Sequence, residues 1–180
     1  MNILLAWLLA DFITGLIHWA EDKFLNNPSR IKFLETVRLD NDLHHDRPAA
    51  ICSFSWWENI NTTAPITIPL AMVLWYLNAP EVIWLAAFFA TFANLVHRWG
   101  HERQSKLNPV IKYLQRTGLF ISFRHHAVHH YDDNGVIEKK DTSKHFCPMT
   151  NWLNPALDKI RFFKFLEHVV GGGLWRREKD

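Results

Sequence analysis

Residues 64–101 read APITIPLAMVLWYLNAPEVIWLAAFFATFANLVHRWGH. From Ala64 to His97 there is no Lys or Arg, and Glu81 is the only acid. A soluble protein rarely leaves so long a run without a base. The bland alternative is a helical hairpin buried in a soluble core, and a bilayer fits the run better. Residues 64–78 and 81–99 read as two helices joined by a tight turn at Asn78-Ala79-Pro80. The first is short against the roughly 20 residues a span requires. A turn this short makes the helices antiparallel, so the segments 21–63 and 100–180 emerge on one side. All 20 basic residues lie outside the apolar run, five in 20–63 and fifteen in 98–180. By the excess of Lys and Arg on cytoplasmic loops, that side is expected to be cytoplasmic.

The N-terminus, MNILLAWLLADFITGLIHWA, is apolar except for Asp11 and His18. It resembles a signal peptide only superficially, because it lacks a basic leading region and Asp11 interrupts its apolar core. It is expected to be a first membrane helix over about 1–20, with Asp11 turned inward. The resulting fold class is all-α: an integral membrane protein with about three apolar helices and a histidine-rich helical cap on the cytoplasmic side. The 180 residues make one domain. Trp56-Trp57 reads as an interfacial anchor. Residues 106–121 and 151–168 read as amphipathic surface helices, with Pro155 in the first turn of the second. Residues 131–145 read as loop, and 171–180 as a frayed tail.

Net charge is +2, which does not suggest a nucleic-acid partner. Cys52 and Cys147 stand far apart and form neither a disulfide framework nor a zinc ribbon. Both are expected to be reduced and inert. Asn61-Thr62-Thr63 matches a glycosylation sequon, irrelevant on a cytoplasmic face.

The chemistry lies in the histidines, 11 in all. They read His18 with Asp22 four residues on, His44-His45, His97-x3-His101, His125-His126-x2-His129-His130, and the isolated His145; His168 stands apart and reads as a surface residue. Residues four apart on a helix project from one face, one turn apart, so His97/His101 and His18/Asp22 can each give two donors to one metal. If 125–130 is helical, His125/His129 and His126/His130 form two pairs about 100° apart and can serve two metals. Any one of these pairs alone is weak evidence. Their joint occurrence, each beside an apolar segment, points to a metal centre. So many imidazoles exceed one tetrahedral zinc site and suit two metals with open positions. The Glu-x-x-His pattern of soluble di-iron bundles is absent.

Three strings carry a resemblance: Asp11-x3-Gly15-x2-His18-Trp19-x2-Asp22, His44-His45-x2-Pro48, and Asn94-x2-His97-x-Trp99-x-His101. Three more extend it: Ser122-x-Arg124-His125-His126-x2-His129-His130, His145-Phe146-Cys147, and Thr150-x-Trp152-Leu153-Asn154-Pro155. The chain resembles the Kua-type lipid desaturases over residues 11–160. The resemblance implies a membrane enzyme with two iron ions, O2 as co-substrate, and an external electron donor of the cytochrome b5 or ferredoxin kind. It implies as ligands His18, His44, His45, His97, His101, His126, His129, His130 and His145. His125 and Asp22 are either ligands or residues that orient them. The implied reaction is desaturation of a phospholipid chain, with the vinyl-ether bond of plasmalogens as the favoured product. The alternative is desaturation or hydroxylation of an acyl chain. From another class stand a non-catalytic metal-binding signalling protein of the membrane and, more remotely, a soluble zinc hydrolase. The family's larger members carry further hydrophobic sequence ahead of the first histidine, so self-association is one way to cover exposed helix here.

Overall fold

The computed structural model describes residues 2–131, 135–137 and 144–170. Among these the fold is all-α, with one isolated antiparallel bridge between Tyr131 and Ile137. The helices in chain order are α1 (Asn2–Phe24), α2 (Lys32–Asp46), α3 (Trp56–Asn61), α4 (Ala64–Tyr76) and α5 (Glu81–Ala90). They continue with α6 (Ala93–His101), α7 (Pro109–Thr117), α8 (Phe123–His130), α9 (Leu153–Lys159) and α10 (Phe162–Val170). The expected tail 171–180 and most of the expected loop 131–145 lie outside the described residues.

Two of the three expected apolar helices form with adjusted ends, and the third is broken. α1 runs four residues past the expected 20, which brings both His18 and Asp22 onto it. It is the one described helix that is by itself long and apolar enough to cross a membrane. α4 starts with Pro65 in its first turn, where the missing N–H costs nothing, and has Pro69 inside. It is followed by Asn78 in the left-handed region (φ 56°) and Pro80 as the residue capping α5. The expected helix 81–99 is instead α5 and α6, bent by 49° at a break. Partly buried hydroxyls accommodate that break: Thr63 Oγ1 donates to the Thr91 carbonyl at 2.7 Å, and the Thr67 and Thr91 hydroxyls lie 2.8 Å apart. Such side chains re-satisfy backbone freed from a helix in apolar surroundings.

α1 and α5 are parallel neighbours. Asn2 donates to Glu81 at their N-terminal ends, and Trp7 meets Phe89 edge-on two turns later. Their contact is built on small residues one turn apart, Ala6 and Ala10 against Ala86 and Ala90, all buried. Small side chains let helix backbones approach closely, which is how helices gain packing where the solvent is itself apolar. α4 covers α5 but buries only Ala71 of its own residues.

The expected helix 106–121 is shorter. Asn108 caps its start, accepting from Ile111 N, and Gly118 ends it at φ 79°. A Cβ on Gly118 would also meet the Trp152 indole. The expected helix 151–168 is broken into α9 and α10, with Arg161 in the left-handed region.

An extended segment, Phe146–Thr150, runs antiparallel along α1. Asp11 holds its far end, accepting from Met149 N at 2.7 Å, Thr150 N at 3.2 Å and Thr150 Oγ1 at 2.6 Å. The Asn154 amide brackets the backbone of Cys147, accepting at 2.9 Å and donating at 2.8 Å. At Gly15 a Cβ would lie 2.7 Å from Cys147 Sγ and 3.0 Å from its Cα, so only glycine admits the segment. Backbone without helical bonds survives in an apolar interior only when every polar group is matched in this way.

Candidate metal centre

Four helices deliver the donors. α1 brings His18 and Asp22, the last turn of α2 brings His44 and His45, α6 brings His97 and His101, and α8 brings His126, His129 and His130. They divide into two groups whose donor atoms lie within 4.8 Å of one another: His44, His97, His101, His126 and His130 in the first; His18, Asp22, His45 and His129 in the second.

The division follows helix geometry. Neighbouring positions on a helix point about 100° apart, so the consecutive pairs His44-His45 and His129-His130 are each split between the groups. Positions four apart stay together, as in His97/His101, His126/His130 and His18/Asp22. The groups adjoin: the His18 ring lies 5.6 Å from that of His97, and the His45 ring 5.1 Å from that of His130.

In the first group, His126 Nε2 is 2.7 Å from His97 Nε2 and 3.0 Å from His130 Nε2, and His97 Nε2 is 3.2 Å from His101 Nε2. His44 packs edge-on against the rings of His97, His101 and His130 at 4.6 to 4.8 Å. Both of its ring nitrogens are buried without a hydrogen-bond partner among the described residues. Imidazole hydrogen bonds alone cannot satisfy such a set, because one Nε2 carries either one proton or one lone pair. A cation among converging lone pairs does satisfy it, so the residues fit a metal. Burial pushes the pKa values of His44, His126 and His130 well below the ordinary histidine value, and neighbouring histidines add to the effect. These rings are therefore neutral at physiological pH, the form that binds metal.

The second group is organised around Asp22. Its Oδ1 lies 2.9 Å from His45 Nε2 and accepts from Asn41 Nδ2 at 2.9 Å, and its Oδ2 lies 3.4 Å from His129 Nε2. His18 Nε2 is 3.9 Å from the same carboxylate. Two carbonyls orient the outer nitrogens: His18 Nδ1 meets Phe146 O at 3.2 Å, and His129 Nδ1 meets Lys144 O at 2.9 Å. Such outer hydrogen bonds fix the tautomer and aim of a ligating imidazole.

His125 and His145 lie outside both groups. Their rings pack at 4.5 Å, and His145 Nδ1 lies 2.6 Å from Asp158 Oδ2. His145 itself is in the left-handed region at φ 57°. Burial lowers the His125 pKa to about 4. His168 is exposed on α10, as expected. Both cysteines are free, and burial raises the Cys52 thiol to about 11 and the Cys147 thiol well above its ordinary value, so neither is a thiolate.

Sequence reading passed over four contributors. Asn41 lies one helical turn before His45, the same spacing as His18/Asp22, and that spacing is the signal that could have found it. Asp158 and the carbonyls of Lys144 and Phe146 carry no comparable signal, because their roles exist only once the chain has folded back on α1.

The family model described as the lipid desaturase domain matches residues 7–176. The chain is 26% identical to a plasmanylethanolamine desaturase of Myxococcus xanthus over 99% of this chain and 63% of that protein. It is 26% identical to plasmanylethanolamine desaturase 1 of Mus musculus over 96% of this chain and 65% of that protein. It is 27% identical to the chloroplastic fatty acid desaturase 4 of Arabidopsis thaliana over 91% of this chain and 49% of that protein. The chain thus spans between about half and two thirds of the length of these relatives. No solved structure matches it. Two histidine-rich groups on a helical frame and a family match over nearly the whole length agree, and the chain belongs to the lipid desaturase domain family.

Proposed function

We propose that the protein is a membrane lipid desaturase holding two iron ions, one in each group. The observation that carries this reading is the pair of adjoining groups, one of five histidines and one of three histidines and an aspartate, at the end of the longest apolar helix. Bound iron supplies the oxidising chemistry that protein side chains lack, with O2 reduced to two waters by two electrons from an external donor, two protons and the two hydrogens removed from adjacent carbons.

The chain's own residues hold and aim that centre. The buried, neutral imidazoles of the first group offer lone pairs without a competing proton. Asp22 brings a negative charge to the second group and joins α1 to α2 through His45 and Asn41. The carbonyls of Lys144 and Phe146 fix the rings of His129 and His18. His125 and His145 belong to the frame in this reading. His145 and Asp158 anchor the segment that carries those two carbonyls.

The apolar hairpin and α1 are read as the membrane part. Exposed Trp75 and Tyr76 lie at the hairpin tip, and exposed Trp56 and Trp57 precede its base, as interfacial aromatics do. All basic residues lie outside 64–97, so the histidine side is read as cytoplasmic. An electron-transfer protein of the cytochrome b5 or ferredoxin kind would meet the protein there.

The favoured substrate is the alkyl ether chain of a plasmanyl phospholipid, giving a vinyl ether. The likeness to plasmanylethanolamine desaturases of a bacterium and a mouse supports it. The second reading, desaturation of an acyl chain, rests on the equal likeness to fatty acid desaturase 4. Lipid mass spectrometry of cells that make ether lipids but no plasmalogens separates the two. An acid-labile product two hydrogens lighter supports the first, and the same mass loss on an acid-stable acyl chain supports the second.

A further inference from the structure

A cavity of about 590 Å³ lies on the side of α6 away from the histidines. This is within the usual range for small-molecule sites, about 300–1,000 Å³. Its wall is apolar and includes Leu4 and Trp7 of α1, Phe89 of α5, Val96 and Trp99 of α6, and Phe120. At about 100° per residue, Leu95, Val96 and Trp99 share one face of α6 while His97 and His101 share the opposite one. No histidine lines the cavity. An alkyl chain lying here is therefore screened from both metal groups by the body of α6. Ile3 and Leu4 at its rim are exposed, so the cavity opens on the apolar flank of α1.

A second cavity, of about 270 Å³, has a mixed wall in which charged side chains join apolar ones. Trp56, Arg98, Glu102 and Lys106 line it. Trp99 lines both cavities and is the partition between them. Its ring stacks on Phe120 (5.4 Å, 15°), and Trp56 meets it edge-on (5.7 Å, 86°). Arg98 is fixed, donating to Cys52 O at 3.1 Å and pairing with Glu102 at 2.9 Å. Lys106 is exposed and is the cation of this cavity that can move to a ligand. The cavity with the charged side chains lies toward the C-terminal end of α6 and the wholly apolar one toward its N-terminal end, beside the first turns of α1. Charge and then hydrocarbon follow one another in the order a phospholipid presents them across a leaflet.

We propose that the two cavities together bind one glycerophospholipid, with its phosphate at Lys106 and one of its chains in the Trp7–Phe120 cavity. The chain held there does not react, so this site grips the lipid by what lies outside the reacting carbons. Only the identity of the bound lipid as substrate rests on the desaturase reading; the site itself rests on the two cavities.

The test uses the full-length protein as purified, in detergent, with a phosphatidylethanolamine that carries a photoreactive group midway along one acyl chain. Labelling is expected to concentrate in peptides holding Trp7, Phe89–Val96 and Phe120. Lys106→Glu, which reverses a surface charge, should lower that labelling about tenfold, the loss of one charge-assisted contact, and Leu4→Trp, which plugs the rim, should lower it by a comparable factor. A free fatty acid with the same photoreactive chain should label these peptides far less. Labelling spread over the exposed face of α4, or unchanged by both substitutions, would overturn the proposal. Concentrated labelling without desaturation of any lipid in cells would uphold the site and remove the enzyme reading. Scattered labelling with desaturation intact would do the reverse.

Discussion

His97 Nε2 of α6 and His126 Nε2 of α8 lie 2.7 Å apart, buried, and converge on the space that His44, His101 and His130 also face. Removing either ring takes away one donor and leaves its partner's lone pair unmatched in an apolar interior. His97→Ala and His126→Ala are each expected to lower bound iron from about two per chain toward one and to reduce desaturation at least about 100-fold, a loss larger than those seen for residues outside the ligand sphere. Elemental analysis of purified protein checks the first expectation and lipid analysis the second. His168→Ala, on the exposed face of α10, should leave both unchanged.

Asp22 is the only carboxylate in either group. Asp22→Asn keeps the shape and removes the charge, so the second group should lose its metal while the first keeps one. An Asn41→Ala change removes only the amide that donates to Asp22 Oδ1 and should weaken metal binding about 10-fold. Metal content titrated against a chelator distinguishes the two. Equal loss of metal from both groups in Asp22→Asn would contradict this division.

The segment Lys144–Phe146 presents alternate carbonyls to His129 and His18, and the residue between them, His145, is tied to Asp158. Asp158→Asn should loosen that segment and weaken the second group's metal about 10- to 100-fold with little effect on the first. The spectroscopic signature of the remaining metal, read beside the stoichiometry, shows which group has changed. Replacing His125 by Ala should do less, because its ring packs on His145 without a hydrogen bond to it.

Asp11 accepts from two backbone amides and one hydroxyl of the extended segment, all buried. Asp11→Ala leaves those donors unmatched and is expected to cost about 3 kcal/mol of stability, read as earlier thermal unfolding in detergent. Gly15→Val, which has no room beside Cys147, should be at least as damaging.

The pH dependence of the metal-free protein follows from the buried histidines. Burial lowers the pKa values of His44, His126 and His130 in the folded state, whereas in the unfolded chain they titrate near 6.5. Below that value the unfolded state takes up protons that the folded state refuses. Stability is therefore full above about pH 6.5 and falls as the pH drops, by up to about 1.4 kcal/mol per pH unit for each histidine. Chemical unfolding between pH 7.5 and 5 checks this, and a flat profile would contradict it.

Much of this was legible in the sequence, because helix periodicity is a local property. The base-free run marked the hairpin, and three of the four i, i+4 pairs marked donors that share a group, whereas His125 parts from His129. The bend at Thr91 was not legible, since it depends on hydroxyls of Thr63 and Thr67 that approach only after α4 packs on α5. Asp11 showed as an inward polar residue, but its partners at Met149 and Thr150 are distant in sequence. His145 matched a family motif, yet the fold turns it toward Asp158, away from both groups. The order of the groups was half legible: consecutive histidines on one helix must diverge, but which metal each serves depends on how α1, α2, α6 and α8 meet.

Together the two groups are expected to oxidise a lipid chain. The most direct measurement is lipid mass spectrometry on cells that make plasmanyl phospholipids but no plasmalogens, expressing the protein or its His129→Ala variant. An acid-labile species two hydrogens lighter on the ether chain is expected with the protein and absent with the variant. Unchanged ether and acyl lipids, with the protein carrying two irons and supplied with a working electron donor, would contradict the claim.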